Sequence, residues 1–135
     1  IFEKMNINSL FCFNLLTINT MKTIKNIFLE IDEYVYKGSY SRFGPFFDVP
    51  EIIGYLNKFK FKDVVVSTEY LEFNYHSLGK LRSDFKEFGM INLNDNKPKF
   101  KKEFLIKTES VFSKIIEKFD HIPVEFEIAT FTSWK

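Results

Sequence analysis

The hexapeptide TEYLEF, residues 68–73, decides the fold of this chain. It follows Val64, Val65 and Val66, three consecutive β-branched residues that resist helix. TEYLEF can prolong that strand, or it can open a short helix capped by Ser67 or Thr68. If it is strand, VVVSTEYLEFNY is one long element. It then pairs with KFKKEFLIK (99–107) and VEFEIATF (124–131) in an antiparallel sheet that has helices packed on one face. If it is helix, the order from residue 51 to residue 119 becomes helix, short strand, helix, helix, hairpin, helix. Both readings give an α+β protein.

The segments on either side are easier to read. HSLGKLRSDFKEFG (76–89) places Leu78, Leu81, Phe85 and Phe88 at helical spacing. Ser77 is its N-cap and Gly89 its C-terminal stop. Asn94, Asp95, Asn96, Lys97 and Pro98 are dense in turn formers, so MINL (90–93) and KFKKEFLIK read as the two arms of a hairpin. TESVFSKIIEKF (108–119) is an amphipathic helix capped by Thr108, with Val111, Phe112, Ile115, Ile116 and Phe119 inward. VEFEIATF alternates like a strand. Upstream, IKNIFLEIDEYVY (24–36) fits helical spacing through Ile24, Ile27, Phe28, Ile31 and Val35, although Ile27, Leu29 and Ile31 also alternate. Asp48 caps a further helix with Pro50 in its first turn and Ile52, Ile53, Leu56 and Phe59 on its apolar face.

A chain of 135 residues, 45% of them hydrophobic, has enough apolar surface for one ordered core, so residues 21–135 are expected to form a single globular domain. Eighteen Phe and six Tyr make that core aromatic. Residues 1–20 begin with Ile, lack caps and a clean period, and precede MKTIKN, which has the look of a natural start. They are expected to be a tail or a mis-extended start that adds little to the fold. LFCFNLL is broken by Asn14 and has no small-residue cleavage site after it, so it reads poorly as a signal peptide. No apolar run approaches membrane-spanning length. With a single cysteine, Cys12, no internal disulfide is available. These features together point to a soluble cytoplasmic protein.

The segments EIIGYLNKF (51–59), VVVSTEYLEFNYHSLGKLRSDFKEFGMI (64–91) and KFKKEFLIKTESVFSKIIEKF (99–119) together resemble the winged helix-turn-helix superfamily in element order and apolar spacing. The resemblance implies that EIIGYL is the first helix, TEYLEF the second, SLGKLRSDFKEFG the recognition helix and the hairpin the wing. VEFEIATF is then an extra C-terminal strand. Glu72 departs from the pattern, since it stands about where such units place a turn glycine. The function implied is double-stranded DNA binding, in transcription regulation. His76, Lys80, Arg82, Ser83 and Lys86 would meet the duplex from the helix, and Lys97, Lys99, Lys101 and Lys102 from the wing. Charge agrees with this reading. Residues 76–102 hold seven Lys or Arg against three Asp or Glu, a local +4 within a chain of net +1. A lysine-rich edge strand that merely resists aggregation would look the same.

The rival reading is a small protein-binding module of the inhibitor or immunity type. Its contact surface would be the aromatic-plus-arginine loop SYSRFGPFFD, through Tyr40, Arg42, Phe43, Phe46 and Phe47. Catalysis finds little support. The two histidines stand apart, no Cys/His set has zinc spacing, and the glycines form no phosphate-binding loop. Glu125 and Glu127 share a strand face and read as a solvated pair. No cofactor and no metal are expected. The conformation of residues 68–73 separates the two readings: helix favours the DNA reader, strand the protein-binding module.

Overall fold

A computed structural model describes residues 1–89 and 98–135. The chain is α+β, and its described residues form four α-helices and a three-stranded antiparallel sheet. The elements are β1 (Leu10–Leu16), α1 (Lys22–Tyr36), α2 (Val49–Lys58), β2 (Lys62–Tyr75), α3 (Leu78–Glu87), α4 (Lys102–Phe119) and β3 (Ile122–Trp134), with a 3-10 turn at Phe2–Lys4. Strand order is β1-β3-β2.

Residues 68–73 are strand, in the middle of β2. The second helix of a helix-turn-helix unit is therefore not formed there. The β-branched run of Val64, Val65 and Val66 sets an extended backbone, and Thr68, Tyr70 and Phe73 are residue types that continue it. The expected wing is also absent from its second arm. Within KFKKEFLIK no strand forms: Lys101 is extended, and from Lys102 the segment is the first part of α4. The reason is period. Phe104, Thr108 and Phe112 recur at four-residue spacing and turn inward, whereas Ile106, which strand alternation would align with Phe104, is exposed. Thr108 is accordingly not a cap. It is buried inside α4 and its hydroxyl donates to the Phe104 carbonyl at 2.7 Å. The first hairpin arm and its turn, residues 90–97, lie outside the described residues.

The expectation that residues 1–20 are a tail is also overturned. Leu10–Leu16 pairs with β3 in antiparallel register, from Leu10 opposite Trp134 to Leu16 opposite Ile128. Phe11, Phe13 and Leu15 alternate inward, so the segment carries the period-2 pattern of a half-buried strand.

The chain divides into two compact units. One comprises Ile1–Thr20, Phe46–Leu71 and Phe126–Lys135. Its core is Leu56, Phe61, Ala129 and Phe131, packed against Phe2, Phe11, Phe13, Ile52, Val64 and Val66. The rings of Phe13 and Phe131 stack at 5.0 Å, and those of Phe11 and Phe61 at 5.2 Å. The other unit comprises Met21–Pro45 and Glu72–Glu125. There α1 packs on α4, and Phe28 stands among Phe43, Phe104 and Phe112 at 5.4, 6.1 and 5.7 Å. Burial along β3 changes phase at Glu125 and Phe126: Ile122 and Val124 are buried before them, and Glu127, Ala129, Phe131 and Ser133 after.

The helix ends follow their sequence signals to different degrees. Ser77 caps α3 by accepting a hydrogen bond from the Lys80 amide at 3.2 Å. Gly89 ends that helix with φ +65°, a conformation that costs glycine little. Pro50 sits in the first turn of α2 as expected, but the Asp48 side chain accepts no capping hydrogen bond.

Candidate protein-binding edge

α2 is followed by a turn in which Lys60 adopts positive φ, and the chain then enters β2, where Asp63 also has positive φ. At the ordinary rise per residue, fourteen residues span roughly 45 Å. β2 is a terminal strand of the sheet, with β3 on one side, and among the described residues no strand pairs with its other edge. Val64 and Val66 point into the core. Every residue from 67 to 74 is exposed. Among the apolar ones, Val65 is 57% exposed, Tyr70 69%, Leu71 37% and Phe73 50%. Most edge strands are short or guarded by charge. Between Asp63 and Glu72 this one carries a single charged residue, Glu69.

Tyr70 is held by Glu127, a carboxylate that strand alternation with Glu125 leads one to expect in solvent. Glu127 is buried, and the Tyr70 hydroxyl hydrogen-bonds to it. That hydrogen bond raises the tyrosine pKa, and desolvation and the carboxylate charge add to the effect. The same carboxylate accepts from the Thr17 hydroxyl and from Asn19 Nδ2, the latter at 2.6 Å. Thr20 Oγ1 bridges the Glu127 backbone, accepting from its N–H and donating to its carbonyl, each at 3.1 Å. The burial phase change in β3 turns Glu127 inward, and period-2 alternation alone could not reveal it. Glu125 is half-buried. It accepts from the Thr23 hydroxyl through Oε1, while Oε2 is buried without a hydrogen-bond partner among the described residues.

The residues expected to meet DNA are dispersed. His76 is exposed, with Nδ1 2.9 Å from the Asp120 carbonyl. Lys80 pairs with Asp84 at 2.6 Å, and this hydrogen bond raises the lysine pKa. The Ser83 hydroxyl donates to Glu87 at 3.3 Å. Arg82 and Lys86 are exposed on α3, and Lys99 and Lys102 are exposed further along the chain. Lys101 instead donates to the Val35 carbonyl at 2.8 Å and lies 5.1 Å above the Tyr36 ring, so it ties down the end of α1. Lys97 lies outside the described residues. Of the set, His76 and Lys80 come together. With Phe73, Tyr75 and Asp84 they line an open cleft of about 370 Å³.

The loop expected as a protein-binding hot spot is a cover for the core. Arg42 donates to both oxygens of the Asp32 carboxylate, through Nε at 2.8 Å and through Nη2. The Asp32 side chain is fully buried and that of Arg42 is 22% exposed. The guanidinium also stacks 4.2 Å above Phe104. Phe43 meets Phe28 and Phe85 edge-on at 5.4 and 5.7 Å, and Tyr40 meets Tyr36 at 5.7 Å. Phe46 and Phe47 are half-buried, and the Phe47 amide donates to the Leu16 carbonyl. These rings are spent on the fold.

Among the described residues no three His, Cys, Asp or Glu side chains converge to hold a metal ion. No helix of the described residues is long and apolar enough to cross a membrane. No protein-family model matches the chain, and none of the curated proteins matches it in sequence.

Proposed function

We propose that this chain is a non-catalytic protein-binding module that takes an extended segment of a partner along the outer edge of β2. One observation carries the reading: a fourteen-residue terminal strand keeps Val65, Tyr70, Leu71 and Phe73 exposed. Strand addition satisfies outward-facing backbone groups by hydrogen bonding, and alternate side chains supply specificity. Here Val65, Leu71 and Phe73 share one side by alternation, and Tyr70 stands on the other, positioned by Glu127. A cytoplasmic setting, with Cys12 kept as a thiol, goes with this reading.

The test is selection from a displayed library of short extended peptides against the full chain, followed by titration of the enriched peptides. Val65→Lys and Leu71→Lys change exposed side chains, so they should fold normally and lose at least most of the binding. Equal binding by wild type and both variants would refute strand addition at this edge.

Duplex DNA is the second reading, and the exposed Arg82 and Lys86 on a helix capped as expected by Ser77 support it. It calls for fluorescence anisotropy on pooled duplexes at two salt concentrations. Binding that weakens with salt and is lost in an Arg82→Ala/Lys86→Ala variant would support it, since phosphate contacts release counterions. No binding at low salt would remove it.

A further inference from the structure

Independently of the β2 edge, we propose that a cavity between α1 and the loop that follows it binds a small monocyclic aromatic carboxylate, of which benzoate is the simplest. The cavity measures about 140 Å³. Lys25, Phe28 and Leu29 line it from α1, and Tyr40, Arg42 and Phe43 from the loop. The three helix positions share one face by their three- and four-residue spacing.

The walls are fixed before any ligand arrives. Arg42 is bound to the buried Asp32 carboxylate and stacked over Phe104. Phe43 meets Phe28 and Phe85 edge-on, and Tyr40 meets Tyr36. Closing the cavity would break these contacts. A preformed site spares the ligand the cost of ordering the loop. Volume then bounds the occupant. An apolar cavity of about 150 Å³ takes one benzene ring, so this one holds a single ring with its substituent at the mouth. Leu29 and Ser41 are exposed and mark that mouth. Phe28, Tyr40 and Phe43 offer the faces and edges against which an aromatic ring packs.

Charge sets the substituent. Arg42 adds no net charge, because Asp32 neutralises it. Lys25 is half-buried, and burial, followed by repulsion from Lys22, lowers its pKa. Both causes oppose the ammonium form, and a carboxylate at that point acts in the opposite sense. Ser41 adds a hydroxyl donor on the rim. One ammonium and one hydroxyl suit a monoanion, whereas phosphate is met by forked arginines or by several backbone N–H groups.

Titration of the full chain with benzoate, followed by amide shifts in two-dimensional NMR, should give saturable changes clustered at residues 25–29 and 40–43, with Kd on the order of millimolar. Benzyl alcohol keeps the ring without the charge, and acetate keeps the charge without the ring. Each should bind at least about tenfold more weakly than benzoate. Inorganic phosphate at equal concentration should not displace benzoate. Lys25→Gln should weaken benzoate by about tenfold and leave benzyl alcohol as it was. If that variant fails to fold, the wild-type comparison of the four probes decides alone. The inference is overturned by the absence of saturable benzoate shifts, by benzoate binding no tighter than benzyl alcohol or acetate, by displacement with phosphate, or by a folded Lys25→Gln variant that binds benzoate as wild type does. None of these results bears on the β2 edge.

Discussion

Replacing Arg42 with alanine should destabilise the protein severely without exposing a binding function. Asp32 is fully buried, and both of its carboxylate oxygens are held by the one guanidinium. Removing that guanidinium leaves a charged carboxylate in the interior without its cation. Breaking a buried pair from one side costs about 3–5 kcal/mol, most of it the uncompensated charge. The lost stacking of the guanidinium over Phe104, at 4.2 Å, adds on the order of 1 kcal/mol. Against a total stability of about 5–15 kcal/mol for an ordinary domain, the variant should be partly unfolded or close to it. Urea unfolding followed by circular dichroism checks this through the midpoint, provided the slope is unchanged. The double variant Asp32→Leu/Arg42→Met replaces the pair with apolar groups of similar size and should recover most of the loss. An Arg42→Ala midpoint within experimental scatter of wild type would refute the argument and return Arg42 to the surface as a candidate contact.

Phe85→Ala should cost about 3–5 kcal/mol in urea unfolding, because Phe85 is buried against Phe43 and Tyr75, whereas Phe88→Ala, at an exposed ring, should stay within about 0.5 kcal/mol. Deleting residues 1–16 should collapse the melting transition, since it strips β1 from β3 and removes Phe11 and Phe13 from the core. Absorbance titration of the tyrosines should show Tyr70 ionising above the ordinary phenol range, and Glu127→Gln should bring it back down, because the hydrogen bond to the carboxylate is the leading cause of the shift. The sign for stability follows from a folded pKa raised above the unfolded one. The contribution of Tyr70 is complete below about pH 10 and is lost as pH climbs through the raised value.

Helices were legible where caps and period agreed. α3 has its Ser77 cap, its buried Leu81 and Phe85 and its Gly89 stop where the sequence put them. The start of α4 and the identity of the third strand were not legible, for one shared reason. Lys99, Lys101 and Lys102 interleave with Phe100 and mimic alternation, and the deciding contact lies elsewhere, in Phe104 stacking on Phe28 and under Arg42. β1 has no caps or clean period in isolation. Its apolar alternation acquires meaning only from Ala129 and Phe131 of β3, more than a hundred residues away. The candidate edge was half visible. TEYLEF is the deciding stretch in the sequence, yet which strand borders it, and therefore that Tyr70 and Phe73 remain exposed, is a property of sheet order that no local pattern encodes.

The most direct test of β2 as a partner-binding edge is residue-resolved amide hydrogen exchange across residues 64–73, in dilute protein and again with a selected peptide bound. An outer strand has alternate amides bonded to β3 and the intervening ones facing water, so dilute protein should show protection that alternates residue by residue. Peptide binding should then slow the fast set and leave the slow set as it was. Uniform protection in the dilute chain would mean that the edge is already covered. Uniformly fast exchange would mean that the strand is not formed. Either result would contradict the account.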